Sequence, residues 1–119
     1  MAAMAEQKFT SYRAFWPFYL REHSRPATRS MHFVGTSVAV VLVALAAVFG
    51  DPWLLLGALI SGYGLAWISH LAIERNRPAT FRYPLWSLTG DFHMCALIWL
   101  GRLDAELARA NGGPEGRRP

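Results

Sequence analysis

Residues 30–73 read SMHFVGTSVAVVLVALAAVFGDPWLLLGALISGYGLAWISHLAI, and this stretch decides the fold. It holds one formal charge, Asp51, and a histidine near each end, His32 and His70. Phe33–Gly50 carries no charge, and a second charge-free run starts at Trp53. Each is about as long as a bilayer's hydrocarbon core demands, roughly 17–25 helical residues. Asp51-Pro52 separates them. Proline cannot continue a helix but fits the first turn of the next one, so the pair reads as a stop and restart. Two such runs joined by so short a turn favour a membrane hairpin over the buried hairpin of a soluble bundle.

The hairpin is symmetric about its turn. His32 lies 19 positions before Asp51 (51 − 32) and His70 lies 19 after it (70 − 51). At about 1.5 Å rise per residue, both imidazoles sit about 28 Å from the turn on one side of the membrane. Lys8, Arg13, Arg21, Arg25 and Arg29 precede the hairpin, Arg75, Arg77 and Arg82 follow it, and the turn has no basic residue. The positive-inside rule then puts both histidine-bearing ends in the cytosol, as in a bacterial inner membrane.

Composition narrows the class. At 119 residues there is room for one domain, expected over 9–109 with flexible ends at 1–8 and 110–119. Charged residues are 17% of the chain and gather outside the hairpin, as in a membrane protein. The net charge of +4 flanks the apolar runs and forms no nucleic-acid stripe. The single cysteine, Cys95, excludes an internal disulfide and a cysteine-rich zinc site, and its apolar surroundings mark a packed thiol. The first apolar run begins too late for a cleavable signal peptide. The sequence leaves the oligomeric state open, a homo-oligomer included.

Outside the hairpin, Thr10 or Ser11 can cap a short helix through about Glu22. Its aromatics, among them Phe15, Trp16, Phe18 and Tyr19, suit the headgroup boundary, so an interfacial helix is expected. Tyr12, Trp16, Tyr19 and His23 share one face. Ser24–Ser30 reads as a loop broken by Pro26, with the first hairpin helix starting near Met31. Gly35, Thr36, Ala39 and Val43 face Ala58, Gly62, Ala66, His70 and Glu74, mostly small side chains that let membrane helices approach closely. A basic loop follows, and then a third long helix from Leu85 to about Ala108. That helix carries Asp91 and His93 in a nearly apolar segment, where ionisable groups usually face protein or a cavity. Glu22-x-x-Arg25-Pro26-Ala27-Thr28 recurs as Glu74-x-x-Arg77-Pro78-Ala79-Thr80, each copy beside a histidine. The expected fold is therefore all-α: a membrane-embedded helical bundle with a central hairpin.

His23, His32 and His70 converge at the boundary in this arrangement. Imidazoles with a carboxylate and no thiolate suit Fe(II), Zn(II) or Mn(II). Glu74, one turn beyond His70, can ligate or fix an imidazole tautomer, and Asp91 can do the same from the third helix. Two other readings stay open. One is a haem protein with His32 and His70 as axial ligands; the other is a non-catalytic membrane protein whose polar cluster holds its helices together.

Two motif blocks bear on the choice. Phe15-Trp16-Pro17-Phe18-Tyr19 leads into Glu22-His23 and Arg29-x-x-His32-Phe33-x-Gly35-Thr36. Later come Ser69-His70-x3-Glu74-Arg75-Asn76-Arg77-Pro78-Ala79-Thr80-Phe81-Arg82-Tyr83-Pro84-Leu85-Trp86-Ser87-Leu88 and Gly90-Asp91-Phe92. From Phe9 to Leu103 the chain resembles a family of small multi-pass membrane proteins, long described only as a domain of unknown function. That family includes the fungal endoplasmic-reticulum 2-hydroxy fatty acid dioxygenase of phytosphingosine degradation. The resemblance implies Fe(II)-dependent α-oxidation, in which a 2-hydroxy fatty acid and O2 give a fatty acid one carbon shorter. It maps the metal ligands onto His23, His32 and His70. Glu74 and Asp91 stand beside them, and Arg29, Asn76 and Arg77 are candidates to meet the substrate carboxylate, with Arg25 and Arg75 nearby. Arg25 and Thr28 depart from asparagines common in the family, and His93 replaces another basic residue and is not counted as a ligand.

Overall fold

The computed structural model describes residues 8–110, and the flexible ends expected at 1–8 and 110–119 lie outside them apart from Lys8 and Ala110. Every regular element among the described residues is helical. Helix α1 spans Tyr12–Glu22, with Ser11 at its N-cap accepting from the Ala14 amide. Helix α2 spans Pro26–Phe49. It starts earlier than the expected Met31, and Ser24–Ser30 is not a loop: Pro26 occupies the first turn, where its missing N–H costs nothing and its fixed φ is already helical.

Gly50, at φ 63°, closes α2 in the left-handed region that glycine reaches without a Cβ penalty. Asp51 then accepts from the Trp53 amide at 3.0 Å and turns the chain into helix α3, Trp53–Glu74. Two π-helical turns interrupt α3, at Ile60–Gly64 and Ser69–Glu74. Helix α4 spans Pro84–Leu100 and helix α5 spans Leu103–Ala110. The single third helix expected to about Ala108 is therefore two, because Gly101 takes φ 70° and ends α4.

Helices α2 and α3 are long and apolar enough to cross a membrane, with mean hydropathy of 2.2 and 1.5. Val40, Val41, Val48, Phe49, Trp53, Leu56 and Ile60 are exposed on them. So large an apolar surface suits lipid and is compatible with a helical membrane bundle. The two helices meet closely at Gly35, where an added Cβ would lie 2.7 Å from the Ser61 carbonyl oxygen. Ser61 Oγ donates to the Gly35 carbonyl at 3.1 Å, so the approach carries a hydrogen bond as well.

The buried hydrophobic cluster lies elsewhere, where α1 packs against α4 and α5. Phe15, Tyr19, Leu20 and Met94 are almost fully buried there, with Trp16 and Leu103 beside them. Trp16 Nε1 donates to Glu106 at 3.1 Å. The aromatics read from sequence as headgroup anchors are thus largely spent on protein contacts. Cys95 is a buried free thiol, as its surroundings suggested.

Candidate metal centre

Three helices each deliver one histidine to a single point. His23 follows α1 as its C-cap residue, His32 stands in the second turn of α2, and His70 lies in the second π-turn of α3. All three are buried. His23 Nε2 is 3.0 Å from His32 Nε2 and 3.1 Å from His70 Nε2. The ring centroids are 4.3, 4.5 and 5.0 Å apart, nearly perpendicular in each pair.

The opposite nitrogens decide what this contact is. Each Nδ1 faces an oxygen: the Tyr19 carbonyl for His23 at 2.6 Å, the Thr28 carbonyl for His32 at 2.9 Å, and Asn76 Oδ1 for His70 at 2.7 Å. Asn76 Nδ2 donates to the Glu22 carbonyl at 3.1 Å, which fixes the amide with its oxygen toward His70. Ser69 Oγ, which donates to the Ala66 carbonyl, is a second acceptor for His32 Nδ1. Carbonyl oxygens accept and do not donate, so the ring protons sit on Nδ1 and the Nε2 atoms carry lone pairs.

Three lone pairs aimed at one another repel. A second proton on a ring would relieve this, but burial works against a charged imidazole. For His23, burial first, and then the neighbouring His32 and His70, hold its pKa well below the ordinary histidine value. A cation relieves the conflict instead: nitrogen donors surround such an ion at about 2.0–2.1 Å, with Nδ1–H held by carbonyls, as in known histidine sites. The cavity at this point is small, about 10 Å³. The donor set therefore fits a single metal ion.

Tyr19 builds one wall. Its ring stacks on His23 with centroids 4.0 Å apart, and its hydroxyl donates to Asp91. Burial, with the Asp91 charge next, pushes the phenol well above its usual range, so it stays a donor. Gly90 makes this possible: a Cβ there would lie 2.9 Å from two atoms of the Tyr19 ring. Asp91 lines the same cavity as the histidines, as does Ser87, whose buried Oγ has no hydrogen-bond partner.

The remaining candidates are spread more widely. Glu74 accepts from Ser24 Oγ at 2.9 Å and from the Arg25 amide at 2.7 Å, binding the end of α3 to the start of α2. Asn76 serves His70. Arg29 donates to the His23 and Ser24 carbonyls at 2.9 and 2.8 Å and holds the α1–α2 connection. Arg25, Arg75 and Arg77 are exposed. His93 is apart from the cluster, stacked on Trp16 and bonded to the Tyr12 hydroxyl. A haem between His32 and His70 has no room, since His23 Nε2 occupies the space between their rings.

Sequence reasoning assigned no role to Ser69, Ser87 or Gly90, read Tyr19 as a headgroup-boundary aromatic on the His23 face, and read Asn76 as a substrate contact. The available signal was position: all five lie in the motif blocks that surround the histidines.

A family model described as 2-hydroxy-palmitic acid dioxygenase Mpo1-like matches residues 9–103. No curated relative and no solved structure matches. The matched span takes in α1 to α4 and all three clustered histidines; the chain belongs to the Mpo1-like family.

Proposed function

We propose that this protein is a membrane-embedded Fe(II)-dependent dioxygenase that shortens 2-hydroxy fatty acids by one carbon. The observation that carries the reading is the meeting of three Nε2 lone pairs with every Nδ1 held by an acceptor. The described activity of the family supplies the substrate class, 2-hydroxy-palmitic acid. The overall reaction balances as R–CHOH–COOH + O2 → R–COOH + CO2 + H2O: the C1–C2 bond breaks, the substrate gives up four electrons and O2 takes them. Iron, when bound, supplies the electron transfer with O2, as a histidine site with open positions allows.

The chain's own residues bind and orient. His23, His32 and His70 hold the ion. Tyr19 and Asp91 wall the cavity at the histidines, where a substrate oxygen would be received. Glu74 and Arg29 keep the ends of α1, α2 and α3 together around the cluster. Arg77, with Arg25 and Arg75, draws the carboxylate to the boundary face. Helices α2 and α3 cross the bilayer, with the basic, histidine-bearing side in the cytosol of a bacterial inner membrane.

The test is metal content of anaerobically purified protein in detergent, wild type beside His32→Ala and His70→Ala, followed by 2-hydroxy fatty acid turnover under O2. Near-stoichiometric iron without a Soret band, lost in both variants, with a product one carbon shorter, is the expected result. Wild-type protein that takes up no metal after Fe(II) reconstitution overturns the reading.

A further inference from the structure

An apolar trough runs down the hairpin from the histidines, and the metal-binding residues leave it unused. Ala39 and Val43 of α2, Ala58 and Gly62 of α3, and Leu88 and Phe92 of α4 line it, enclosing about 280 Å³. Small side chains make the floor and α4 makes a wall. A second depression of about 340 Å³ continues it toward Gly50, and the two share Val43 and Leu55.

At its upper end the trough joins the metal centre. Thr36, which lines it, is one turn below His32 on α2. Asp91 lines both the trough and the histidine cavity. In that cavity Ser87, only 3% exposed, has a hydroxyl with no partner. A buried hydroxyl without a partner costs about 1–3 kcal/mol, so this one is available to an oxygen-bearing ligand.

We propose that the trough holds one straight acyl chain, with its oxygen-bearing head at Ser87 and Asp91 and its tail running along α2 toward Gly50; this rests on the dioxygenase reading. The trough also measures the chain. Thr36 to Gly50 is 14 positions (50 − 36), or about 21 Å of helix. An extended alkyl chain advances about 1.25 Å per carbon, from ordinary C–C bond lengths and angles, so about 17 carbons span it. Chains of about sixteen to eighteen carbons fill the trough, and shorter ones leave the second depression empty.

Val43 tests this, because it lines both depressions and is 49% exposed, so a larger side chain there blocks the trough without crowding a core. Wild type and Val43→Phe are compared in detergent in two ways. One is the kcat/KM ratio for sixteen- against eight-carbon 2-hydroxy acids. The other is photolabelling by a sixteen-carbon 2-hydroxy acid with a mid-chain diazirine, mapped by mass spectrometry. The expected result is labelling at Val43 and Leu55 that unlabelled 2-hydroxy acid displaces. Val43→Phe then lowers both the labelling and the ratio roughly tenfold or more, since the distal methylenes lose their apolar contact, with iron content unchanged. Labelling spread over Val40, Val41 and Ile60 and not displaced overturns the proposal. Turnover with a ratio unmoved by Val43→Phe also overturns it, while the dioxygenase reading stands. Displaceable labelling in the trough without turnover keeps the chain site and overturns the dioxygenase reading.

Discussion

Asn76→Leu is expected to weaken metal binding without unfolding the protein. Asn76 Oδ1 accepts from His70 Nδ1 at 2.7 Å, and its Nδ2 donates to the Glu22 carbonyl at 3.1 Å. One amide therefore sets the tautomer of His70 on α3 and anchors the end of α1. Leucine has a similar volume but neither function. It leaves Nδ1–H of His70 without an acceptor, so the ring loses the preference that keeps its Nε2 lone pair in the cluster. Loss of such an orienting partner typically costs 10–100-fold in metal affinity, about 1.4–2.8 kcal/mol at 1.4 kcal/mol per decade. Competition with a chromogenic chelator at neutral pH, using Zn(II) or anaerobic Fe(II), measures it directly. Asn76→Asp keeps an acceptor for His70 and loses only the donor to Glu22, so its loss is expected to be smaller. His70→Ala removes the ligand and is expected to lose more than either. Asn76→Leu protein with native circular dichroism and an affinity within about twofold of wild type would refute the reasoning, because the amide would then not hold the ligand.

Other consequences follow from the same geometry. Gly35→Ala places a Cβ 2.7 Å from a backbone oxygen of α3, so the hairpin must open; a lower Tm in detergent, from a loss of about 1–3 kcal/mol, is expected, and an unchanged Tm counts against the close approach. Gly90→Ala pushes on the Tyr19 ring at 2.9 Å and is expected to weaken metal binding through His23, which chelator competition reads; wild-type affinity would separate Tyr19 from the site. Metal at a hundredfold excess over its Kd stabilises the fold by about 2.7 kcal/mol, so Tm is expected to rise on loading and to fall with chelator in wild type but not in His23→Ala. Burial, with the Asp91 charge next, raises the Tyr12 phenol from 10.0 to about 12. Its contribution to stability is thus fully present below pH 10.0, the unfolded value, and is lost as pH rises through about 12. The 295 nm difference between wild type and Tyr12→Phe is expected to show no ionisation step near pH 10.0; a step there would contradict the burial of Tyr12.

The hairpin was legible because its cause is linear. Two charge-free runs and a proline turn are written in consecutive residues, and equal spacing of His32 and His70 about Asp51 converts directly into equal height. The meeting of His23 with them was legible for the same reason, since nine positions of chain join it to His32 (32 − 23). Less could be read where two energies compete. Pro26 carries a loop signal and a helix-start signal at once, and the N1 role won, so α2 begins before Met31. Gly101 lies inside the stretch read as one long helix from Leu85 to about Ala108, yet its left-handed φ ends α4. The two π-turns of α3 have no propensity signature. They shift the register that four-residue spacing assumes, and Glu74, expected beside the metal, is bound instead to Ser24 and the Arg25 amide. Asn76 was read as a substrate contact because its partners, His70 and the Glu22 carbonyl, are 6 and 54 positions away and meet it only in three dimensions.

The placement of the histidines also bears on how the fold is held. Helix α1 packs its aromatic face on α4 and α5, away from the hairpin. Its ties to α2 and α3 pass through a few groups at its C-terminal end: His23, the Glu22 carbonyl held by Asn76, and the His23 carbonyl held by Arg29. Hydrogen bonds of this kind are each worth about 0.5–1.5 kcal/mol net, and the lone pairs of the three Nε2 atoms oppose them. An ion bonded to all three nitrogens reverses that repulsion and joins α1 to both helices of the hairpin at once. With an ion bound, the cluster would therefore join the aromatic layer to the hairpin as well as serve as a candidate reaction centre. Loss of metal is expected to loosen α1 first, so amide exchange on loading should slow most at 20–25 and least in the middle of α2. Uniform protection along the chain would mean that the two layers are already joined without the ion.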